Sequence, residues 1–241
     1  MINRSVPSPE PGEDISFINT TFDLSTSINM KDNKTYLKSI KNITFVPRSG
    51  THNNFKRMEE IILYVINGEL LYGDSLGNKL TLKKGNILYI NFGSGLSYEI
   101  FNDGIDYLDI MEINIIVNED EEGSRFKSKA LTPHIIPSSL NNDPIDNWQY
   151  RVSSKNGLAP IKSFCDINIY SLTLSSNKTV DFQIQRGRTG YLIQGYGSSL
   201  MKAEITGEAY DLNGSDGLKV CSENFTLKSD IDSDFILVEG P

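Results

Sequence analysis

Residues 58–78 read Met58-Glu59-Glu60-Ile61-Ile62-Leu63-Tyr64-Val65-Ile66-Asn67-Gly68-Glu69-Leu70-Leu71-Tyr72-Gly73-Asp74-Ser75-Leu76-Gly77-Asn78. Ile61–Ile66 is an unbroken β-branched and aromatic run, and after Asn67-Gly68 the apolar character resumes in Leu70-Leu71-Tyr72. An Asn-Gly pair between two such runs predicts a tight hairpin, because Gly readily supplies the positive φ that two-residue turns require. A second turn, Gly73–Asn78, leads into Lys79–Leu82, and Lys84-Gly85 leads into Asn86–Ile90. Asp106–Val117 alternates weakly and reads as one longer strand. Short strands at regular spacing with turns between them predict a sandwich or barrel.

Beyond residue 117 the pattern breaks. Asn118–Gly123 carries four consecutive acids, and Leu131–Pro137 and Asp143-Pro144 are rich in loop formers, so residues 121–149 read as a connector. Strands resume at Asp166–Leu174 and continue through Val180–Ile184, Thr189–Ile193, Ser199–Ile205 and Phe235–Val238. No segment gives a strong helix signal. The expected organisation is a flexible N-terminus over 1–14, one β domain over 15–120, the connector, and a second β domain over 150–241.

The chain has 241 residues and a formal net charge of −8. No basic cluster offsets that charge, which argues against nucleic-acid binding, since such binding rests on Lys and Arg neutralising phosphates. No apolar run approaches the length of a membrane span, and the N-terminal residues lack the apolar core of a signal peptide, so the expected location is the cytoplasm. Cys165 and Cys221 are too few for a disulfide framework, and each is expected as a buried or half-buried strand residue. Arg186-Gly187-Arg188 reads as a charged hairpin tip, and Trp148 and Tyr150 as a cover between the connector and a barrel.

The 58–78 stretch resembles the pirin family, whose members carry HPHRxxE, then a strand leading to H-x-D-S-x-G-N, then PGD and AG-x-G-x-x-HSE. Asp74-Ser75-Leu76-Gly77-Asn78 carries the specific part of the match. Lys83–Asn86 stands where PGD begins the next strand, and Phe92–Ser97 stands where AG-x-G would be. Pro47 and Gly50 fall at family positions, Asp166–Tyr170 resembles the second-half D-A-x-L-Y, and Gly217 lies near the second GDG turn. The resemblance spans roughly residues 17 to 240. It implies an all-β fold of two cupin (double-stranded β-helix, or jelly-roll) barrels in one chain.

The same resemblance implies a metal site of three histidines and one glutamate, but this chain holds two histidines, His52 and His134. Counting from Glu60 and Gly68 places the family's HPH on Asn54-Phe55-Lys56. Counting from Gly95 places its HSE on Tyr98-Glu99-Ile100. The four ligand positions therefore fall on Asn54, Lys56, Tyr98 and Ile100, an amide, an ammonium, a phenol and an alkyl group. The i, i+2 spacing matters because alternate strand residues face the same side. His52 reads as an exposed loop residue, and His134 falls in the connector. Glu60 keeps the position of a motif glutamate and is expected to pair with Lys56.

The expectation is a metal-free pirin-like bicupin with no cofactor and no catalytic residue assigned. Its partner would be a small ligand or a protein, with Lys56 holding an anionic group and Asn54 and Tyr98 hydrogen-bonding it. Nucleic acid and membrane are excluded as partners, and the protein is expected as a monomer or weak dimer. Two alternatives follow from the resemblance. One is an enzyme, either a quercetin-type dioxygenase or a metal-independent catalyst using the first-barrel pocket. The other is a regulator that acts through transcription-factor partners.

Overall fold

The computed structural model describes residues 2–3, 8–9, 16–24, 37–117, 134–136, 145–154 and 156–241. All regular structure among them is β. Two compact units form, one from Val6–Leu140 and the other from Asn141–Pro241 together with Met1–Ser5. Most of the expected flexible N-terminus and of the 121–149 connector lies outside the described residues.

In chain order the first strands are β1 (Ile2–Asn3), β2 (Ser8–Pro9), β3 (Ser16–Asp23), β4 (Leu37–Phe45), β5 (Ser49–Lys56) and β6 (Glu59–Asn67). Then come β7 (Glu69–Asp74), β8 (Lys79–Lys83), β9 (Ile87–Asn91), β10 (Leu96–Asn102), β11 (Leu108–Ile116) and β12 (His134–Ile136). In the first unit a seven-stranded sheet, β12-β9-β6-β11-β4-β3-β2, and a four-stranded sheet, β5-β10-β7-β8, close over one core. Ile61, Leu63 and Val65 of β6 meet Leu70 and Tyr72 of β7, Tyr98 and Ile100 of β10, and Ile110 of β11. Each such side chain contributes about 1.5–3 kcal/mol on burial.

Two features of the 58–78 stretch now have a physical cause. The run in β6 is continuous rather than alternating because both of its faces are buried from Glu60 to Ile66. The turn to β7 is closed by Gly68 at φ +86°, a conformation that costs glycine little.

The second unit contains β13 (Gln149–Ser154), β14 (Ile161–Ser163), β15 (Asn168–Leu174), β16 (Thr179–Gln183), β17 (Thr189–Tyr196) and β18 (Ser198–Ala203). It ends with β19 (Ala209–Asn213), β20 (Gly217–Cys221), β21 (Asn224–Ser229) and β22 (Ser233–Gly240). The sheet β1-β20-β17-β22-β15-β13-β14 faces the sheet β16-β21-β18-β19. Leu172, Leu192, Met201, Phe225, Phe235 and Leu237 lie in its core. The N-terminal stretch expected to be flexible supplies β1, with Ile2 opposite Leu218, and β2, with Ser8 opposite Ile18.

Three sequence expectations need correction. His52 lies on a strand rather than a loop, on the outward side of β5, where its Nδ1 is 3.7 Å from Glu99 Oε2. Cys221 is exposed, whereas Cys165 is buried and lies outside the strands, and neither forms a disulfide. Arg188 is no solvated tip. Its guanidinium holds Asp166 at 3.0 Å and lies 3.6 Å from the buried Glu239 carboxylate.

Candidate functional site

The four predicted positions share one face of the four-stranded sheet. Asn54 of β5 is the direct register partner of Tyr98 of β10, and Lys56 is the partner of Leu96. A bulge between Tyr98 and Ile100 sets Ile100 opposite Thr51, so that His52 and Asn53 together face the single residue Glu99, with Asn53 at φ +54°. This extra residue turns His52 away from the core while Asn54 and Lys56 stay in phase with Tyr98 and Ile100. Tyr98 and Ile100 are 4% and 2% exposed and belong to the core, while Asn54 and Lys56 are half-buried.

The polar groups around them come from strands far away in sequence. Lys56 Nζ donates to Asn114 Oδ1 at 2.8 Å. The Asn114 amide in turn donates to Glu112 Oε1 at 2.7 Å and to Ser39 Oγ at 3.3 Å. Register explains the convergence, since Asn114 of β11 lies between Ser39 of β4 and Ile61 of β6. Glu59 opens β6 across the two-residue link Arg57-Met58 from Lys56. Its Oε2 is 3.4 Å from Lys56 Nζ, and its Oε1 accepts from Lys38 Nζ at 2.9 Å. Lys38, Ser39, Glu59, Glu112 and Asn114 were not singled out by sequence reasoning. The available signal was the polar pair Glu112 and Asn114 continuing the phase of the apolar Leu108 and Ile110.

The expected ion pair between Lys56 and Glu60 is replaced by one between Lys56 and Glu59. Strand alternation is the reason. Glu59 follows the phase of Ile61, Leu63 and Val65, toward the core, whereas Glu60 faces the opposite side. There the fully buried Glu60 accepts a 2.7 Å hydrogen bond from the Tyr89 hydroxyl. Lys56 Nζ contacts these internal acceptors, and the Asn54 amide donates to Thr51 Oγ1 at 2.6 Å. Burial, then the carboxylates of Glu112 and Glu59 and the neighbouring Tyr72, push the Tyr98 phenol well above its ordinary 10.0.

The Asp74–Asn78 stretch turns out to be architecture. Asp74 Oδ1 accepts from the backbone N–H groups of Leu76 and Asn78, each at 3.0 Å, and both carboxylate oxygens accept from Asn78 Nδ2. The Tyr72 hydroxyl adds a 3.0 Å bond to Oδ2. A groove of about 200 Å³ over this sheet is lined by Asn53, Asp74, Ser75, Ser97, Tyr98 and Glu99.

In the second unit several aromatic rings cluster. Tyr150 stacks on Tyr170 at 4.7 Å, and Phe182 meets Trp148 and Tyr170 edge-on at 5.0 and 4.9 Å. Trp148 and Tyr150 thus pack within the second unit. Beside the rings, Glu239 accepts from the Asn168 side chain at 2.9 Å and from the Gln185 backbone at 3.1 Å.

No family model matches the chain. A Pseudomonas aeruginosa protein carrying the provisional name quercetin 2,3-dioxygenase is 27% identical over 186 residues, 75% of this chain and 72% of that protein. A pirin-like protein of Caulobacter vibrioides is 25% identical over 182 residues, 75% of this chain and 73% of its own length. The solved structure of the Escherichia coli bacterial pirin YhhW in complex with nickel(II) superposes with a TM-score of 0.76 at 17% identity, covering 100% of this chain and 98% of YhhW. The chain resembles pirins in sequence and in fold. Its all-β fold of two units is the cupin-type fold of that solved structure.

A divalent transition metal takes imidazole, thiolate or carboxylate donors. Ile100 offers no donor, Asn54 offers a neutral amide rather than an imidazole or carboxylate, and burial disfavours ionisation of the Tyr98 phenol. Lys56 brings a positive charge into the place of the ion. The set does not fit. Among the described residues, no three His, Cys, Asp or Glu side chains are grouped as a metal site. His134 is the register partner of Tyr89 on the edge strand β12. No helix of the described residues is long and apolar enough to cross a membrane.

Proposed function

We propose that this chain is a pirin-like bicupin that works without a metal, binding a small molecule or a regulatory partner and lacking dioxygenase activity. One observation carries the reading. The Lys56 ammonium stands inside the first barrel at a position matching a family ligand, 2.8 Å from Asn114 Oδ1 and 3.4 Å from Glu59 Oε2. Oxygen activation of the kind the relatives' names imply needs a redox-competent centre. An ammonium at that place repels a cation and leaves no donor there.

The cupin fold alone does not decide this, because function resides in the site and not in the scaffold. The reading is tested by oxygen uptake and flavonol cleavage with quercetin, after incubation of the protein with iron, nickel or copper salts. The expected result is a rate equal to that of the free metal salts. Turnover above that background that saturates with quercetin overturns the reading.

A further inference from the structure

We infer that Lys56 is a tethered cation that does the structural work of the missing ion, joining the strands at the polar end of the first barrel. This rests on the metal-free reading and goes further, because it assigns a role to the ammonium and to the acids around it. A metal ion in a barrel does two physical things besides chemistry. It links side chains from several strands, and it neutralises the carboxylates it draws inward.

The Lys56 network does both. From the end of β5, Lys56 reaches Asn114 on β11 and Glu59 on β6. Through the Asn114 amide the chain of contacts continues to Glu112 on β11 and Ser39 on β4. Four strands from both sheets of the unit are therefore connected through one ammonium and one amide. The charges balance, with Lys56 and Lys38 against Glu59 and Glu112. Lys38 occupies Glu59 Oε1. Glu59 Oε2 is buried without a hydrogen bond, and the Lys56 ammonium is the cation beside it. Removing Lys56 strands that oxygen, whereas removing both charges does not.

The experiment is a double-mutant cycle on the full chain, with Lys56→Met, Glu59→Gln and the double variant, read by thermal unfolding, alongside calorimetric titration of the wild type with nickel chloride. Lys56→Met is expected to lower the midpoint by roughly 5 °C, the scale of one to two buried charge contacts in a protein this size. The double variant is expected to recover at least half of that loss, because the unpaired carboxylate is gone. Lys56→Arg, which keeps the charge, is expected to stay closer to the wild type than Lys56→Met.

A Lys56→Met midpoint within 1 °C of the wild type, or strictly additive effects, overturns the tethered cation while leaving the metal-free reading intact. Stoichiometric nickel binding by the wild type overturns the metal-free reading itself. If Lys56→Met does not fold, a folded double variant supports the tethered cation. Failure of that variant and of Lys56→Arg contradicts it, since charge neutralisation would then explain neither.

Discussion

The Asp74 carboxylate grips the Asn78 side chain through both oxygens, at 3.0 and 2.8 Å from Nδ2, while also capping the Asn78 backbone N–H. The stretch that most clearly resembles the pirin family is thus a self-closing turn. Asp74→Ala removes all of these acceptors and the Tyr72 hydroxyl contact at once. It is expected to destabilise the protein by about 1–3 kcal/mol. Urea unfolding followed by tryptophan or tyrosine fluorescence measures this directly, and an unchanged midpoint would count against a structural role for the motif.

Tyr98 gives a pH dependence with a definite sign. Its phenol is raised above 10.0 in the folded protein, first by burial and then by Glu112, Glu59 and Tyr72. The native state therefore holds the proton more tightly than the unfolded chain does. The associated stability is fully present below the ordinary phenol range and is lost as the pH climbs from about 10 through the folded value. Tyr98→Phe should flatten part of the alkaline fall in stability. Denaturation midpoints measured from pH 8 to pH 11 test this, and parallel curves for the two proteins would refute it.

The two thiols differ in access. Cys221 is exposed on β20, and Cys165 is buried with its backbone N–H bonded to Ser163 Oγ at 2.9 Å. A disulfide reagent should label Cys221 in the native protein and Cys165 only after denaturation. Rapid labelling of both in buffer would contradict the placement of Cys165.

In the second barrel, Arg188 ties Asp166 to the buried Glu239. Arg188→Ala leaves Glu239 with Asn168 and the Gln185 N–H but without a counter-charge. The expected loss is about 2–3 kcal/mol, measured by chemical denaturation, with Arg188→Lys intermediate because it keeps charge but not the planar contact to two acceptors.

How much of this was legible beforehand follows from the physics of each element. The β6–β7 hairpin was readable because Asn67-Gly68 is a local signal and the flanking runs are β-branched. The phase of Asn54, Lys56, Tyr98 and Ile100 was readable because strand alternation is strict, although the bulge at Asn53 adds a residue that the period alone does not reveal. β4 was missed, since its burial on both sides hides any alternation in Leu37–Phe45. The partners of Lys56 were missed for a different reason. Asn114 lies 58 residues away, and only the sheet order β6-β11-β4 brings it alongside. Glu59 and Glu60 are neighbours in sequence, and which of them faces Lys56 depends on a register that the turn at Met58, with φ +54°, sets.

The proposed metal-free reading puts the Lys56 ammonium in place of an ion in the first barrel. Elemental analysis by mass spectrometry of untagged protein, purified without added metal or chelator, tests it most directly. The account predicts iron, manganese, nickel, copper and zinc all far below one equivalent per chain. Any of these at near-stoichiometric level, lost together with thermal stability on dialysis against a chelator, would contradict it.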